Sequence, residues 1–420
     1  MQSEELDLVL DDLPVDEMVD IASRLIEIPT IRGTSETGVA DWLAAYLADA
    51  GYEVELQEVL PGRHQTVARL RGTGGGRSVM FNGHIDIDPL RADWVRDPWR
   101  PVVEGDLLYG AGARNMKGGV AAMVMAAEVI RRAKVKLSGD IVLACVMGEL
   151  EGGTGTKHLL DSGVRTDMAL FPEPLGAHNI VTAMPGVLEL ALTTFGFSEH
   201  VSRQYLRHGD ERSVPVDAIK HMVRAIEHVS ELDLPFQVSE MFPDLPFIHV
   251  GMLRAGRGEN LDLRSTCYIS DRCVSVLHVC YPPHHTAEQV EASIRARLEE
   301  LSATDSTFRW ELSSRLPEQF GFSLVDVAPT IVPVEEEVVG LVHAAYVDLA
   351  GREPDNVGVA LPQCYTAGDH AHLWDAGIPC LYYGPSSPVR LAGDSDDCVS
   401  VSEMALTSKV FTKVALQVCR

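Results

Sequence analysis

The stretch Met80-Phe81-Asn82-Gly83-His84-Ile85-Asp86-Ile87-Asp88-Pro89 runs from an apolar, strand-like segment into a histidine and an aspartate two residues apart. In extended chain, residues i and i+2 share one face. His84 and Asp86 can therefore act together, the imidazole as a metal ligand and the carboxylate orienting its neighbourhood. For this segment alone, a turn-capping aspartate beside a surface histidine is the plainer reading.

Three further segments give it weight. Leu108-Tyr109-Gly110-Ala111-Gly112-Ala113-Arg114-Asn115-Met116-Lys117-Gly118-Gly119 is a glycine-rich loop leading into a helix of small residues. Its spacing fits neither G-x-G-x-x-G nor G-x-x-x-x-G-K-[ST], so it is not read as a nucleotide cradle. Val146-Met147-Gly148-Glu149-Leu150-Glu151-Gly152-Gly153-Thr154-Gly155 and Phe171-Pro172-Glu173-Pro174 each place an acid just past a buried strand. Open α/β sheets bind their ligands at the carboxyl ends of strands. Any one acid could be a helix cap, but four such pieces in chain order point to a site.

Around these segments, helical spacing of apolar residues from 15 to about 50 gives way to strand-like runs at Thr66 to Leu70, Ser78 to Asn82 and Asp140 to Met147. A helix over Gly118 to Val129 lies between the last two. This alternation predicts an α/β domain with a mostly parallel sheet flanked by helices. From about residue 187 the pattern becomes two helices (Val216 to Val229, Ala287 to Leu301) among strands at Val187 to Phe197, Phe247 to Leu253, Val274 to Cys280 and Phe308 to Leu312. The α/β pattern then resumes and ends with a helix over Ser402 to Val418. The expectation is a discontinuous catalytic domain, 1–186 and 319–420, interrupted by an inserted α+β lid domain, 187–318.

Composition narrows the partners. The 420 residues carry 61 Asp+Glu against 35 Lys+Arg, a net charge of −26. That excess disfavours nonspecific binding to nucleic acid or anionic lipid. The acidic start is no signal peptide and no stretch is long and apolar enough for a membrane span, so a cytoplasmic location is expected. No two of the eight cysteines form a C-x-x-C pair, which leaves a zinc ribbon or a thioredoxin-type centre unsupported.

The order G-H-x-D, G-x-x-N-M-K-G-G, G-E-x-x-G-G-x-G and E-P resembles the zinc metallopeptidase family of acetylornithine deacetylase, succinyl-diaminopimelate desuccinylase, glutamate carboxypeptidase and aminoacylase. Gly196-Phe197-Ser198-Glu199-His200 resembles the family's G-x-x-A-H at the start of its lid. Gly256-Arg257-Gly258-Glu259-Asn260 resembles a lid glycine-asparagine turn, and Gly377-Ile378-Pro379 with Gly384-Pro385 its C-terminal motifs. The resemblance implies two bridged zinc ions, a glutamate that takes a proton from water, and a lid histidine that supports the tetrahedral oxyanion. Carried over, it makes His84 and Glu173 ligands of one metal, Asp86 the orienting partner, Glu149 the general base and His200 the lid histidine. Asn260 becomes a substrate-binding residue.

Several positions depart from that pattern. Asn115 replaces the bridging aspartate and Leu150 the second glutamate of D-E-E. The stretch Ala392-Gly393-Asp394-Ser395-Asp396-Asp397 lacks the final histidine ligand. His84, Asn115 and Glu173 remain, fewer good ligands than the three that catalytic zinc normally takes. A metal-free site is the expectation, and one zinc, cobalt or manganese ion the alternative. Glu151, Asp369, His370 and His372 are candidate replacements, the last three also substrate-binding candidates. In the lid, His278-Val279-Cys280-Tyr281 stands where the family has D-V-R-Y, so an arginine that could hold a substrate carboxylate is missing unless Arg254, Arg257 or Arg390 substitutes.

Three functions follow as expectations. The first is an amide hydrolase, a deacylase or peptidase acting on an N-acylated amino acid or small peptide-like metabolite with at most one metal. The second is a metal-independent enzyme using the same cleft for acyl transfer, cyclisation or isomerisation. The third is a non-catalytic binding protein. The resemblance also implies a homodimer formed through the lid, with Val187 to Phe197 as the pairing edge strand and His200 acting in trans.

Overall fold

The computed structural model describes residues 10, 13–203, 216–230, 240–264, 266–359, 365–387 and 396–420. The chain divides into two compact units. One comprises residues 1–184, 330–364 and 368–420, the other 185–329 with 365–367.

The first unit is built on an eight-stranded mixed sheet. Its order is Glu53–Leu60, Arg63–Leu70, Ile141–Val146, Val79–His84, Met168–Phe171, Cys380–Tyr382, Asn179–Val181, Asn356–Gly358. The four central strands, from Ile141–Val146 to Cys380–Tyr382, run parallel. Every residue of Val79–His84, Ile141–Val146 and Met168–Phe171 is buried, as expected of strands covered on both faces. Helix Gly118–Arg132 is buried along almost its whole length and packs against helix Val401–Val418 on one face. Its small residues permit the close approach. A Cβ on Gly119 would collide with the carbonyl of Pro172, which ties the helix start to the Glu173 loop.

The strand Glu53–Leu60 was not expected from the sequence. It lies at the edge of the sheet with one buried residue, Gln57, so its apolar alternation is weak.

The second unit is a sheet ordered Phe247–Gly256, Arg272–Tyr281, Gly186–Phe195, Arg309–Ser313, all antiparallel, with Asp326–Val327 also pairing to Gly186–Phe195. Helices Ala218–Ser230 and Ala287–Thr304 cover one face through Leu188, Leu190, Leu192, Leu277 and Val279. Two expectations are corrected here. Residues 319–329 group with this unit rather than with the host, because Asp326 and Val327 pair with Leu188 and Val187. The strand expected to lie at the edge, Val187 to Phe197, is interior and has neighbours on both sides. Among the described residues the sheet ends with Phe247–Gly256 on one side and with Arg309–Ser313 and Asp326–Val327 on the other.

Candidate active site

The four central parallel strands end side by side, and each delivers one polar group. His84 closes its own strand, Glu149 follows Ile141–Val146, Glu173 follows Met168–Phe171, and Tyr382 closes Cys380–Tyr382. Parallel pairing brings these ends to one side of the sheet, so the sequence order of the motifs becomes a spatial cluster.

Gly148, with φ of +65°, turns the chain sharply after its strand. The turn aims two backbone N–H groups back at Asp86. Glu149 N donates to Asp86 Oδ1 at 3.2 Å and Leu150 N to Asp86 Oδ2 at 3.0 Å. The Asp86 carboxylate thus holds the Glu149 loop, while its carboxylate oxygen is 3.5 Å from His84 Nδ1. What orients the ring most closely is the Asp86 backbone carbonyl, 2.8 Å from His84 Nδ1.

On the other side of the ring, His84 Nε2 is 3.0 Å from Asn115 Oδ1 and 3.9 Å from both Glu149 Oε2 and Glu173 Oε1. Both ring nitrogens face acceptors, so a protonated ring finds a partner at each. Burial works against that charge. The Asp86 hydrogen bond and the surrounding Glu149, Asp86 and Glu173 charges outweigh it and hold the His84 pKa well above its usual value. Burial drives the Glu149 carboxyl well above the ordinary carboxylate range, with His84 opposing and Glu173 and Asp369 adding to the rise. Glu173 is also raised, chiefly by burial.

Tyr382 was missed by sequence reasoning. It is 1% exposed and its hydroxyl meets His370 Nδ1 at 2.9 Å and accepts from His370 N at 3.3 Å. A Cβ on Gly368 would collide with this hydroxyl and lie 3.0 Å from Glu149 Oε1, so Tyr382 and Glu149 crowd the same glycine. The only sequence signal was a tyrosine ending an apolar strand just before Gly384-Pro385.

The replacement candidates separate. Glu151 points away from the cluster: Oε2 pairs with Arg63 at 2.9 Å and Oε1 accepts from Gly33 N at 2.9 Å. His372 Nε2 lies 3.1 Å from the Gly152 carbonyl, and burial pushes its pKa down to about 4. Burial pushes the His370 pKa down to about 3, and among the described residues its Nε2 finds no hydrogen-bond partner. Asp369 accepts from Thr156 Oγ1 at 2.6 Å, its second oxygen has no hydrogen-bond partner among the described residues, and burial lifts its pKa to about 7.

In the second unit, His200 Nδ1 is 2.9 Å from Ser202 Oγ and its ring packs edge-on against Tyr268. Asn260 is exposed in the turn after Phe247–Gly256. Arg254 lies over Phe320 and Arg257 over Tyr268. Arg390 and residues 392–395 fall outside the described residues.

These donors do not fit the two-metal centre that the resemblance implies. Leu150 and Asn115 stand where carboxylates would be needed. Asp396 is taken by the backbone N–H groups of Val95 and Arg96 and by the Arg96 guanidinium, and Asp397 accepts from Arg114 N. Among the described residues no three His, Cys, Asp or Glu side chains converge to hold an ion. No helix among them is long and apolar enough to cross a membrane.

The comparisons with known proteins agree with the fold. Residues 80–417 match the model of peptidase family M20/M25/M40. The chain is 27% identical, over 96% of its length and 95% of the relative's, to the N-formyl-4-amino-5-aminomethyl-2-methylpyrimidine deformylase of Bacillus subtilis. It superposes on human carnosine dipeptidase 1 with a TM-score of 0.74 at 15% identity, covering 98% of this chain and 99% of that one. The YxeP protein of Bacillus subtilis, described as a dinuclear metal binding peptidase, gives 0.62 at 15% identity, covering 96% and 98%. The chain is a hydrolase belonging to peptidase family M20/M25/M40.

Proposed function

We propose that this hydrolase removes a small acyl group, of formyl size, from the nitrogen of a metabolite that carries no α-carboxylate. The carrying observation is the buried Glu149 carboxyl beside the His84 ring, 3.9 Å away, at the carboxyl ends of parallel strands. Near-full-length similarity to a deformylase of an aminomethylpyrimidine supports the N-formyl class. Cys280 supports the lack of a carboxylate, because a thiol cannot make the bidentate pair that an arginine makes there.

In this reading Glu149 accepts a proton from the attacking water and returns it to the departing amine. His84, charged and donating, faces the developing oxyanion. Asp86 keeps Glu149 in place through the two backbone N–H groups. Glu173 and Asp369, whose carboxyls burial raises, belong to the same cluster.

The donor set favours metal-independent turnover. Asn115 is a neutral ligand and Leu150 no ligand at all, at two positions where the family pattern has carboxylates. A single ion taken up would draw on His84, Glu173 and Asn115, and would supply charge to polarise the amide.

The test is a substrate panel on enzyme purified without chelator, with metal content measured by mass spectrometry. N-formyl aminomethylpyrimidine is cleaved with release of formate, N-acetylornithine and N-succinyl-diaminopimelate at least about a hundredfold less well, and EDTA leaves the rate unchanged. Cleavage of the carboxylate-bearing substrates alone, or loss of all activity in EDTA restored by zinc, would refute these assignments.

We further infer that the lid forms a homodimer through Phe247–Gly256. Among the described residues this edge strand pairs on one side alone, and it exposes Phe247 and Leu253. Light scattering that gave a monomer would exclude it.

A further inference from the structure

We propose that Glu189, His278 and Cys280 of the second unit form a nucleophilic centre, in which the Cys280 thiol takes an acyl group from an ester or thioester donor. It is built from residues of the second unit and does not rest on the deacylase reading.

The strand pattern builds this centre. His278 and Cys280 are two residues apart on Arg272–Tyr281 and so share a face. Glu189, on the neighbouring strand Gly186–Phe195, is paired directly opposite His278. These three point away from helices Ala218–Ser230 and Ala287–Thr304, which cover the face carrying Leu188, Leu190, Leu277 and Val279.

The distances give each group a role. Glu189 Oε1 is 3.1 Å from His278 Nδ1, and His278 Nε2 is 3.6 Å from Cys280 Sγ. Glu189 is held rigidly: its Oε2 accepts from Val325 N at 3.0 Å and its backbone N–H donates to Val325 O at 2.7 Å. A carboxylate at Nδ1 selects the tautomer with its proton there, which leaves the Nε2 lone pair facing sulfur. That is the order of nucleophile, base and orienting acid that activates a thiol.

Cys280 Sγ also lies 3.4 Å from the Tyr365 carbonyl, so the resting S–H is donated there. Turning it to His278 Nε2 is the activating step. The sulfur itself is buried, and the His278 side chain beside it is 31% exposed, so a donor approaches from the imidazole side.

The chemistry balances without any further redox partner. The thiol proton passes to His278 Nε2 as the Sγ–C bond forms and the ester C–O or thioester C–S bond breaks. His278 then protonates the leaving alkoxide or thiol. Water attacks the thioester, its proton passing through His278, and releases the acid while restoring the thiol.

Treating the full chain with p-nitrophenyl acetate, and in parallel with iodoacetamide at pH 7, tests the proposal by peptide mass spectrometry. Cys280 becomes acetylated and is alkylated at least about tenfold faster than the exposed Cys267, which serves as the internal reference. His278→Gln abolishes this advantage and Glu189→Gln reduces it, with circular dichroism and melting matching wild type. If either variant fails to fold, the wild-type comparison alone decides. Cys280 left unmodified while Cys267 reacts, or an unchanged rate in folded His278→Gln, would overturn it.

Discussion

His84 Nε2 stands 3.0 Å from the side-chain oxygen of Asn115, where the family pattern has an aspartate. A carboxamide oxygen accepts a hydrogen bond from a charged ring without adding a negative charge, so the pair is stable without an ion. Asn115→Asp would add the missing carboxylate. Zinc affinity, measured by isothermal titration, is expected to rise by about tenfold or more, and unchanged affinity would mean that other positions govern metal uptake.

Asp86 acts on Glu149 through the backbone, accepting from the N–H groups of Glu149 and Leu150. Asp86→Ala leaves two buried donors unsatisfied and frees the loop. The kcat for deacylation is expected to fall by about a hundredfold with little change in KM, since displacement of a catalytic group costs on that scale. A change confined to KM would place Asp86 in substrate binding instead.

Arg63 is clasped by two buried acids, Glu36 and Glu151, at contacts of 2.5 and 2.9 Å. Its side chain is 14% exposed, and those of the acids 0% and 4%. Arg63→Met strands two carboxylates in the interior, and removing one partner of such a network costs about 3–5 kcal/mol. Urea unfolding should show that loss, whereas a variant within 1 kcal/mol of wild type would show that solvent already screens the cluster.

Asp369 supplies a pH signature. Burial lifts its folded-state pKa to about 7 against the ordinary 3.8, with the Thr156 hydrogen bond opposing. Between those values the folded protein holds a proton that the unfolded chain has released. Wild-type stability relative to Asp369→Asn should therefore fall as pH rises from about 4 to about 7, by up to about 1.4 kcal/mol per unit, and then level off. Parallel stability curves for the two proteins across that range would contradict the burial account.

The parallel core was legible in the sequence because its strands are short apolar runs closed by glycine and acid, as at Val146 to Glu149. The insertion showed as a change of rhythm near residue 187. The edge strand Glu53–Leu60 was not legible, because a strand with one buried residue carries little hydrophobic pattern. Neither was the interior position of Gly186–Phe195, since pairing partners over a hundred residues away set it. In the candidate site, His84, Glu149 and Glu173 stood out as acids and a histidine at strand ends. Tyr382 did not, because an aromatic ending a core strand reads as packing until its hydroxyl is seen against His370 and Gly368. Glu151 was ambiguous on spacing alone, and Arg63 and the Gly33 N–H, 88 and 118 residues away in the chain, fix where it points.

The central claim is that Glu149 carries the proton in an N-deacylation. Formate release from N-formyl aminomethylpyrimidine by wild type and Glu149→Gln, at equal and verified folding, tests it most directly. The account predicts a loss in kcat of about 10²–10⁴-fold with substrate still bound, and turnover by Glu149→Gln within a few-fold of wild type would contradict it.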